Sequence, residues 1–202
     1  MHMEPLVGSR IKLRPMLASD GPALVEAAAD GALWKLPHTF VPSETTVDSY
    51  LRIALEGRAD GTAIPFVTEL IDPKRVIGST RFWKIDWRNR KLEIGWSWLS
   101  QTWQRTFVNT EAKLLMLRFA FERINCVRVQ FMTDEENDTA CAAILRLGAE
   151  QEGIVRNDLI MSSGRKRDSV QFSIIDEEWP AIRSSLEEKL KNLIAKSENR
   201  PA

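Results

Sequence analysis

Three apolar-rich runs, Ala63–Leu70, Val76–Asp86 and Leu92–Leu99, follow one another with only short polar gaps, and this clustering limits the fold more than any other feature. Asp72-Pro73 and Arg88-Asn89 supply turn residues in the two gaps. Strands joined that closely pair antiparallel, because a parallel pair needs a crossover of a dozen or more residues. Residues 63–99 are therefore predicted to form an antiparallel meander. The chain then changes period. Ala112, Leu115, Met116, Phe119 and Ala120 recur at helical spacing within Thr110–Arg123, and Val127–Met132 returns to strand alternation.

Around this centre the pattern continues. Arg10-Ile11-Lys12-Leu13-Arg14 alternates as a first strand ended by Pro15. Ser19-Asp20 offers a cap for a helix carrying Leu24, Val25, Ala27 and Ala28, with Gly31 as its stop. Trp34–Pro42 reads as an aromatic loop or short helix, and Thr46–Glu56 as a second helix. After the central strand, a helix starts at Asp138 or Thr139 and stops at Gly148. Strands near 150–157 and 168–174 follow, joined by the polar turn Ser162-Ser163-Gly164-Arg165. From Glu177 onward Trp179, Ile182, Leu186, Leu190, Leu193 and Ile194 line one side of a helix, with a frayed end over Ser197–Ala202.

The expected architecture is one α/β (α+β) domain with a mixed central sheet of about seven strands flanked by helices, plus a C-terminal amphipathic helix. The division is residues 8–176 for the domain and 177–202 for the appended helix and tail. With 202 residues and 44% apolar content, the chain can bury a sizeable core.

Charge excludes some functions. Twenty-eight basic and 28 acidic residues balance, which argues against a nucleic-acid or membrane-surface partner. Cys126 and Cys141, with His2 and His38 scattered elsewhere, make no metal framework, so no metal is expected. Reduced core thiols are favoured over a disulfide. No basic-then-apolar leader pattern and no bilayer-length apolar run is evident, so the cytoplasm is the expected compartment. Seven tryptophans call for large buried contacts or for a homodimer interface.

The element order β-α-α-βββ-α-β-α-ββ resembles that of the GCN5-related N-acetyltransferases (GNAT), over roughly residues 8–176. Two landmarks carry the likeness. One is Leu92-Glu93-Ile94-Gly95-Trp96-Ser97-Trp98-Leu99 followed by Gln104-Arg105-Thr106-Phe107-Val108-Asn109-Thr110-Glu111-Ala112-Lys113. The other is Asn137-Asp138-Thr139-Ala140 leading to Arg146-Leu147-Gly148-Ala149. Both are most similar to the ribosomal-protein N-terminal acetyltransferase (RimJ/RimL-like) branch.

The resemblance implies a GNAT acyl-CoA N-acyltransferase fold, with acetyl-CoA or another acyl-CoA as co-substrate. A helix beginning near Asn109-Thr110 would leave its first N–H groups free, with the positive end of its dipole toward a pyrophosphate. By the resemblance, the main chain of Arg105, Thr106, Phe107, Val108, Asn109 and Thr110 would cradle that group, with Gln104 ahead of it. The family loop reads Gln/Arg-x-x-Gly-x-Gly/Ala. Here Phe107 and Asn109 stand at the two small positions, and Phe107 permits neither positive φ nor close approach cheaply. Either its ring turns into the core while its N–H stays available, or the loop has lost CoA affinity. Backbone at Trp98, Leu99 and Ser100 would splay to receive the pantetheine, and Asn137 would face the thioester or cap its helix.

Glu93 matches the branch's Glu-Ile-Gly segment and is the expected general base, the alternative being a strand carboxylate paired with Arg81 or Arg90. The family's general-acid tyrosine is replaced by Ile144, and Ala140 stands where the branch offers serine. Trp34 and His38, with Leu36, Thr39 and Phe40, are the candidates for acceptor binding, against a core role for Trp34. The functional expectation is acyl transfer from acyl-CoA to a primary amine, on a small molecule or a protein N-terminus, by direct attack in a ternary complex. Two alternatives stay open: a catalytically weak CoA-binding or regulatory module of the same fold, and a ligand-binding or structural protein without CoA.

Overall fold

The computed structural model describes residues 3–161 and 163–198. His2, Ser162 and the last four residues of the expected frayed end lie outside that range, whereas Ser197 and Glu198 are helical. In chain order the elements are β1 (Leu6–Val7), β2 (Ile11–Pro15), α1 (Gly21–Ala29), α2 (Val47–Ala59), β3 (Ala63–Leu70), β4 (Arg75–Asp86), β5 (Lys91–Leu99), α3 (Phe107–Arg118), β6 (Arg128–Asp134), α4 (Asp138–Leu145), β7 (Glu150–Ile160), β8 (Lys166–Ile175) and α5 (Trp179–Glu198). All seven expected strands are present. The two-residue β1 makes an eighth, too short to leave any alternation in the sequence.

The strands form one sheet in the order β1-β2-β3-β4-β5-β6-β8-β7. Every neighbour is antiparallel except β5 and β6, which run parallel across the α3 crossover. β3 is buried along its whole length, so its apolar run is continuous rather than alternating.

Adjacent residues of β3 face opposite cores. Phe66 belongs to the larger one, with Phe82, Phe131, Phe172, Met116 and Leu117 from β4, β6, β8 and α3. Phe82 meets Phe66 edge-on and stacks on Phe119, each with centroids 5.7 Å apart. Val67 belongs to the smaller core, with Leu24, Ala27 and Ala28 of α1 and Leu51 and Ala54 of α2. Helices α1 and α2 thus cover one face of the sheet, while α3 and α5 pack on the other. The stripe expected on α5 is what docks: Trp179 stacks on Phe121 at 5.4 Å, and Leu186 is fully buried.

Helix α3 begins at Phe107, earlier than expected, because Thr106 is its N-cap; its hydroxyl accepts the Val108 N–H at 3.3 Å. The helix is clamped near its start. Buried Glu111 accepts hydrogen bonds from the Ser9 amide, the Ser9 hydroxyl (2.8 Å) and the Arg10 amide (3.1 Å) in the β1–β2 turn. After β6, Asn137 caps α4 by accepting the Ala140 N–H at 3.0 Å, and Gly148 follows that helix at φ +97°. Cys126 and Cys141 are both free thiols. Among the described residues, no helix is long and apolar enough to cross a membrane.

Candidate active site

The parallel pair β5–β6 opens into a fork. Its register covers only Lys91↔Arg128, Leu92↔Val129 and Glu93↔Gln130. Beyond that point β5 continues to Leu99 against β4 alone, and β6 continues to Asp134 against β8 alone. The main-chain groups of the two strands therefore face each other across a crevice instead of pairing, and such exposed edges can take an extended ligand as an added strand.

A β-bulge sharpens the fork. Arg81 pairs Gly95 and Ser79 pairs Trp98, so Trp96 and Ser97 together oppose Thr80. Trp96 takes a left-handed conformation, φ +52°, which costs about 1–2 kcal/mol for a residue with a side chain. The extra residue resets which way side chains point. Trp96 lies over Arg81, with the guanidinium carbon 4.1 Å from its ring centroid, and stacks on Phe40 at 5.2 Å. Ser97 turns to the opposite face and meets Thr80 and Lys113.

Past the fork, Ser100 is tied down: its hydroxyl donates to the carbonyls of Ala27 (2.8 Å) and Ile77 (3.1 Å). The Trp98 indole donates to Tyr50 at 3.1 Å, and Gln104 donates to the Leu99 carbonyl at 2.9 Å. The positive φ that a glycine-rich loop would supply falls on Arg105, at +59°. Phe107 is the first helical residue, with its ring in the large core and edge-on to Trp103 at 6.3 Å. Its N–H is one of the amides a helix start leaves unpaired, and its ring is turned into the core, as the first of the two alternatives for Phe107 requires. Val108 and Thr110 are buried as well, and the loop offers an anion its main chain and the exposed Arg105.

Glu93 stands where the fork begins and is 2% exposed. Its Oε2 is 3.2 Å from both Lys84 Nζ and Gln130 Nε2, so its cation is a half-exposed lysine of the β4–β5 hairpin and neither Arg81 nor Arg90. The Trp83 indole N–H faces the carboxylate without closing a well-formed hydrogen bond. Burial pushes the Glu93 carboxyl upward, and Lys84, Trp83 and Gln130 pull it back only in part. A hollow of about 110 Å³ lined by Lys84, Lys91, Leu92, Glu93, Arg128 and Gln130 connects it to solvent.

The loop between α1 and α2 lies across the same face. Phe40 rests on Trp96 of β5, and His38 Nδ1 is 3.4 Å from Asp134 Oδ2 of β6, so one segment reaches both arms of the fork. Trp34 is 38% exposed, which rules out the core role weighed for it. Asp134 is fully buried; Arg165 and His38 hold its carboxyl below the ordinary range against the effect of burial, which acts the other way. The ligand atoms of His38, Asp134 and Glu136 lie within 4.8 Å of one another, and Arg165 forms ion pairs with Asp134 and Glu136 there.

The chain matches the acetyltransferase (GNAT) domain over residues 10–150. It belongs to the GNAT acetyltransferase family. The uncharacterized N-acetyltransferase p20 of Bacillus licheniformis is 28% identical over 182 residues, spanning 88% of this chain and 99% of that protein. YdaF of Bacillus subtilis (strain 168), whose name provisionally assigns it to ribosomal N-acetylation, is 30% identical over 95 residues, 47% of this chain and 51% of its own. The crystal structure of a provisionally assigned acetyltransferase from T. thermophilus superposes with a TM-score of 0.81 at 28% identity, covering 94% of this chain and 98% of that one.

This GNAT protein is accordingly an acyl-CoA-dependent N-acetyltransferase. The end of β5–β6 pairing, the Thr106-capped start of α3 and the buried Glu93 all lie within the first sequence landmark. Polar groups at the fork escaped the sequence reading, Lys84 and Lys113 among them. Lys84 lies near the end of β4, where the irregular pairing between Trp83 and Asp86 hides its register. Lys113 lies on the stripe of Met116 and Ala120, a lysine inside a core-facing helix period, and that placement was its signal.

Proposed function

We propose that acyl-CoA lies in the fork between β5 and β6, with its pyrophosphate on the amides from Arg105 to Thr110 and its pantetheine along the free edge at Trp98, Leu99 and Ser100. The observation that carries this reading is the end of β5–β6 pairing at Glu93↔Gln130, with the start of α3 beyond it. Arg105 adds a cation to the helix dipole, and Phe107 contributes only its N–H, because its ring is committed to the core. Asn137 uses its side-chain oxygen as a cap and keeps its amide N–H groups for the thioester arm.

The acceptor amine approaches from the face covered by α1 and α2, under the loop carrying Trp34, His38 and Phe40. Glu93 removes its proton, directly or through water in the adjoining hollow, and the amine attacks the thioester without a covalent enzyme intermediate. A protein N-terminus is the favoured acceptor: the resemblance to the ribosomal branch and the partial match to YdaF point that way. The two free thiols suit a cytoplasmic protein.

Titration calorimetry with acetyl-CoA tests the binding half, and CoA-thiol release with a panel of peptides bearing free α-amines tests the transfer half. The substitution Glu93→Gln is expected to leave acetyl-CoA affinity within threefold and to lower kcat about a hundredfold, in the range of general-base catalysis. It should also remove the acid limb of the pH profile. Unchanged turnover at every pH would dispose of the Glu93 role.

A further inference from the structure

GNAT chemistry leaves a thiolate that needs a proton, and the usual position for its donor is Ile144, packed among apolar side chains of the large core. Tyr50 and Cys141, a hydroxyl and a thiol weighed against it, are engaged elsewhere. Tyr50 bonds Ser79 at 2.5 Å and accepts from Trp98, on the α2 side of the sheet. The Cys141 thiol points at the Asp134 carbonyl, 3.8 Å away, and burial pushes its pKa up.

On the α3 face of the fork the situation differs. Lys113 is 6% exposed, and its ammonium donates to Ser97 Oγ at 2.6 Å and, at 3.5 Å, to Thr80 Oγ1; these two hydroxyls are 2.7 Å apart. No carboxylate lies within ion-pair distance of it among the described residues. The two groups that its ammonium meets are neutral hydroxyls, Thr80 from β4 and Ser97 from β5, and Thr80 in turn contacts the Met116 sulfur of α3. Arg81 and Glu93, the nearest charged side chains of those strands, point to the other face. Ser97 itself is exposed, on the stretch of β5 that has no β6 partner.

We propose that Ser97 and Lys113 are the proton-delivery pair for the departing thiolate, Ser97 as the catalytic donor in the fork and Lys113 as the residue that recharges it. This rests on the placement of acyl-CoA given above. The bulge at Trp96 and Ser97 makes the arrangement possible, because it turns Ser97 away from the face that carries Glu93.

The steps balance. The acceptor nitrogen forms its bond to the thioester carbon and gives its proton to Glu93. Collapse of the tetrahedral adduct re-forms the carbonyl and breaks the C–S bond, leaving the electron pair on sulfur. Sulfur takes the Ser97 hydroxyl proton, and Ser97 takes one from the Lys113 ammonium. Between turnovers Glu93 releases its proton to solvent and Lys113 regains one from solvent, so amine and thioester become amide and thiol with no net change in protons. Burial lowers the Lys113 pKa to about 7, which makes it a far better donor than an ordinary lysine at neutral pH.

The test compares the full chain with Lys113→Met, Ser97→Ala and Ser97→Thr, using acetyl-CoA and the most active peptide of the panel. Acetyl-CoA affinity by calorimetry is expected to stay within threefold for all variants. K113M and S97A should each lower kcat for thiol release by about a hundredfold, with S97T recovering at least tenfold over S97A. The wild type should lose activity above about pH 7, where Lys113 deprotonates, and K113M should lack that alkaline limb. Wild-type kcat with an intact alkaline limb in K113M would overturn the proposal. So would loss of acetyl-CoA binding in K113M or S97A, which marks the pair as structural. Failure of the wild type itself to bind acetyl-CoA would overturn the underlying placement instead.

Discussion

Replacing Lys113 with methionine should change the pH dependence of folding stability, and by an amount large enough to measure. The ammonium is wholly buried with hydroxyls but no counter-ion, and its pKa falls from the ordinary 10.5 to about 7. At about 1.36 kcal/mol per tenfold change, that displacement makes the charged form worth on the order of 5 kcal/mol less in the folded chain than in the unfolded one. Below pH 7 both states carry the proton and the whole penalty acts. As pH rises from 7 toward 10.5 the unfolded chain holds the extra proton, so stability increases with pH, by up to about 1.4 kcal/mol per pH unit. The unfolding free energy of the wild type should therefore rise by about 2–3 kcal/mol between pH 7 and 9 relative to that of K113M, which lacks the titration. The buried Cys126 thiol, pushed up to about 11 by burial, acts in the opposite sense above pH 9, but both chains keep it, so it cancels in their difference. Urea unfolding at half-unit steps from pH 6.5 to 9, analysed at fixed m-value, gives both curves, and the packing of methionine contributes only a constant offset. A wild-type to mutant difference constant within 0.5 kcal/mol across that window, taken as about the precision of the method, would refute the claim that burial governs this lysine.

Two further substitutions probe the proposed phosphate loop and the proposed base. Phe107→Gly restores the family's small residue but empties a core position at the start of α3; it should cost about 3–4 kcal/mol in urea unfolding while leaving acetyl-CoA affinity within threefold. A tenfold gain in affinity would show that the ring, and not the main chain, governs the loop. At Gly95 an added Cβ would lie 2.7 Å from the Trp83 indole nitrogen and 3.4 Å from Glu93 Oε1. Gly95→Ala should therefore displace the indole, lower kcat about tenfold and raise KM little, taking one uncompensated shift at the base as the cause; unchanged kcat would show that Trp83 does not position Glu93.

The sheet was legible because its strands differ in period from its helices, and the meander over residues 63–99 fixes the antiparallel half almost alone. The start of α3 was less so. Thr106 and Asn109-Thr110 are all acceptable caps by residue type, and only the hydroxyl's bond to Val108 selects the first. Glu93 could be found from its neighbours in sequence, but its cation could not: the irregular pairing between Trp83 and Asp86 brings Lys84 to it in place of an arginine. The same limit hid Ser97, since period-two counting from Glu93 puts residue 97 on Glu93's face and only the bulge moves it to the other. Between acceptor binding and a core role for Trp34 the sequence offered no decision; in the structure it is exposed while its neighbour Leu33 takes the place in the smaller core.

The loop between α1 and α2, which reaches both arms of the fork, has a mechanical consequence. His38 is fastened to one prong and Phe40, two residues on, to the other, so the width between the prongs and the height of the canopy above them cannot vary independently. Anything that wedges the prongs apart must strain or release one of those two moorings. Traffic from below and traffic from above are thereby linked through a span of three residues, without any hinge elsewhere in the molecule.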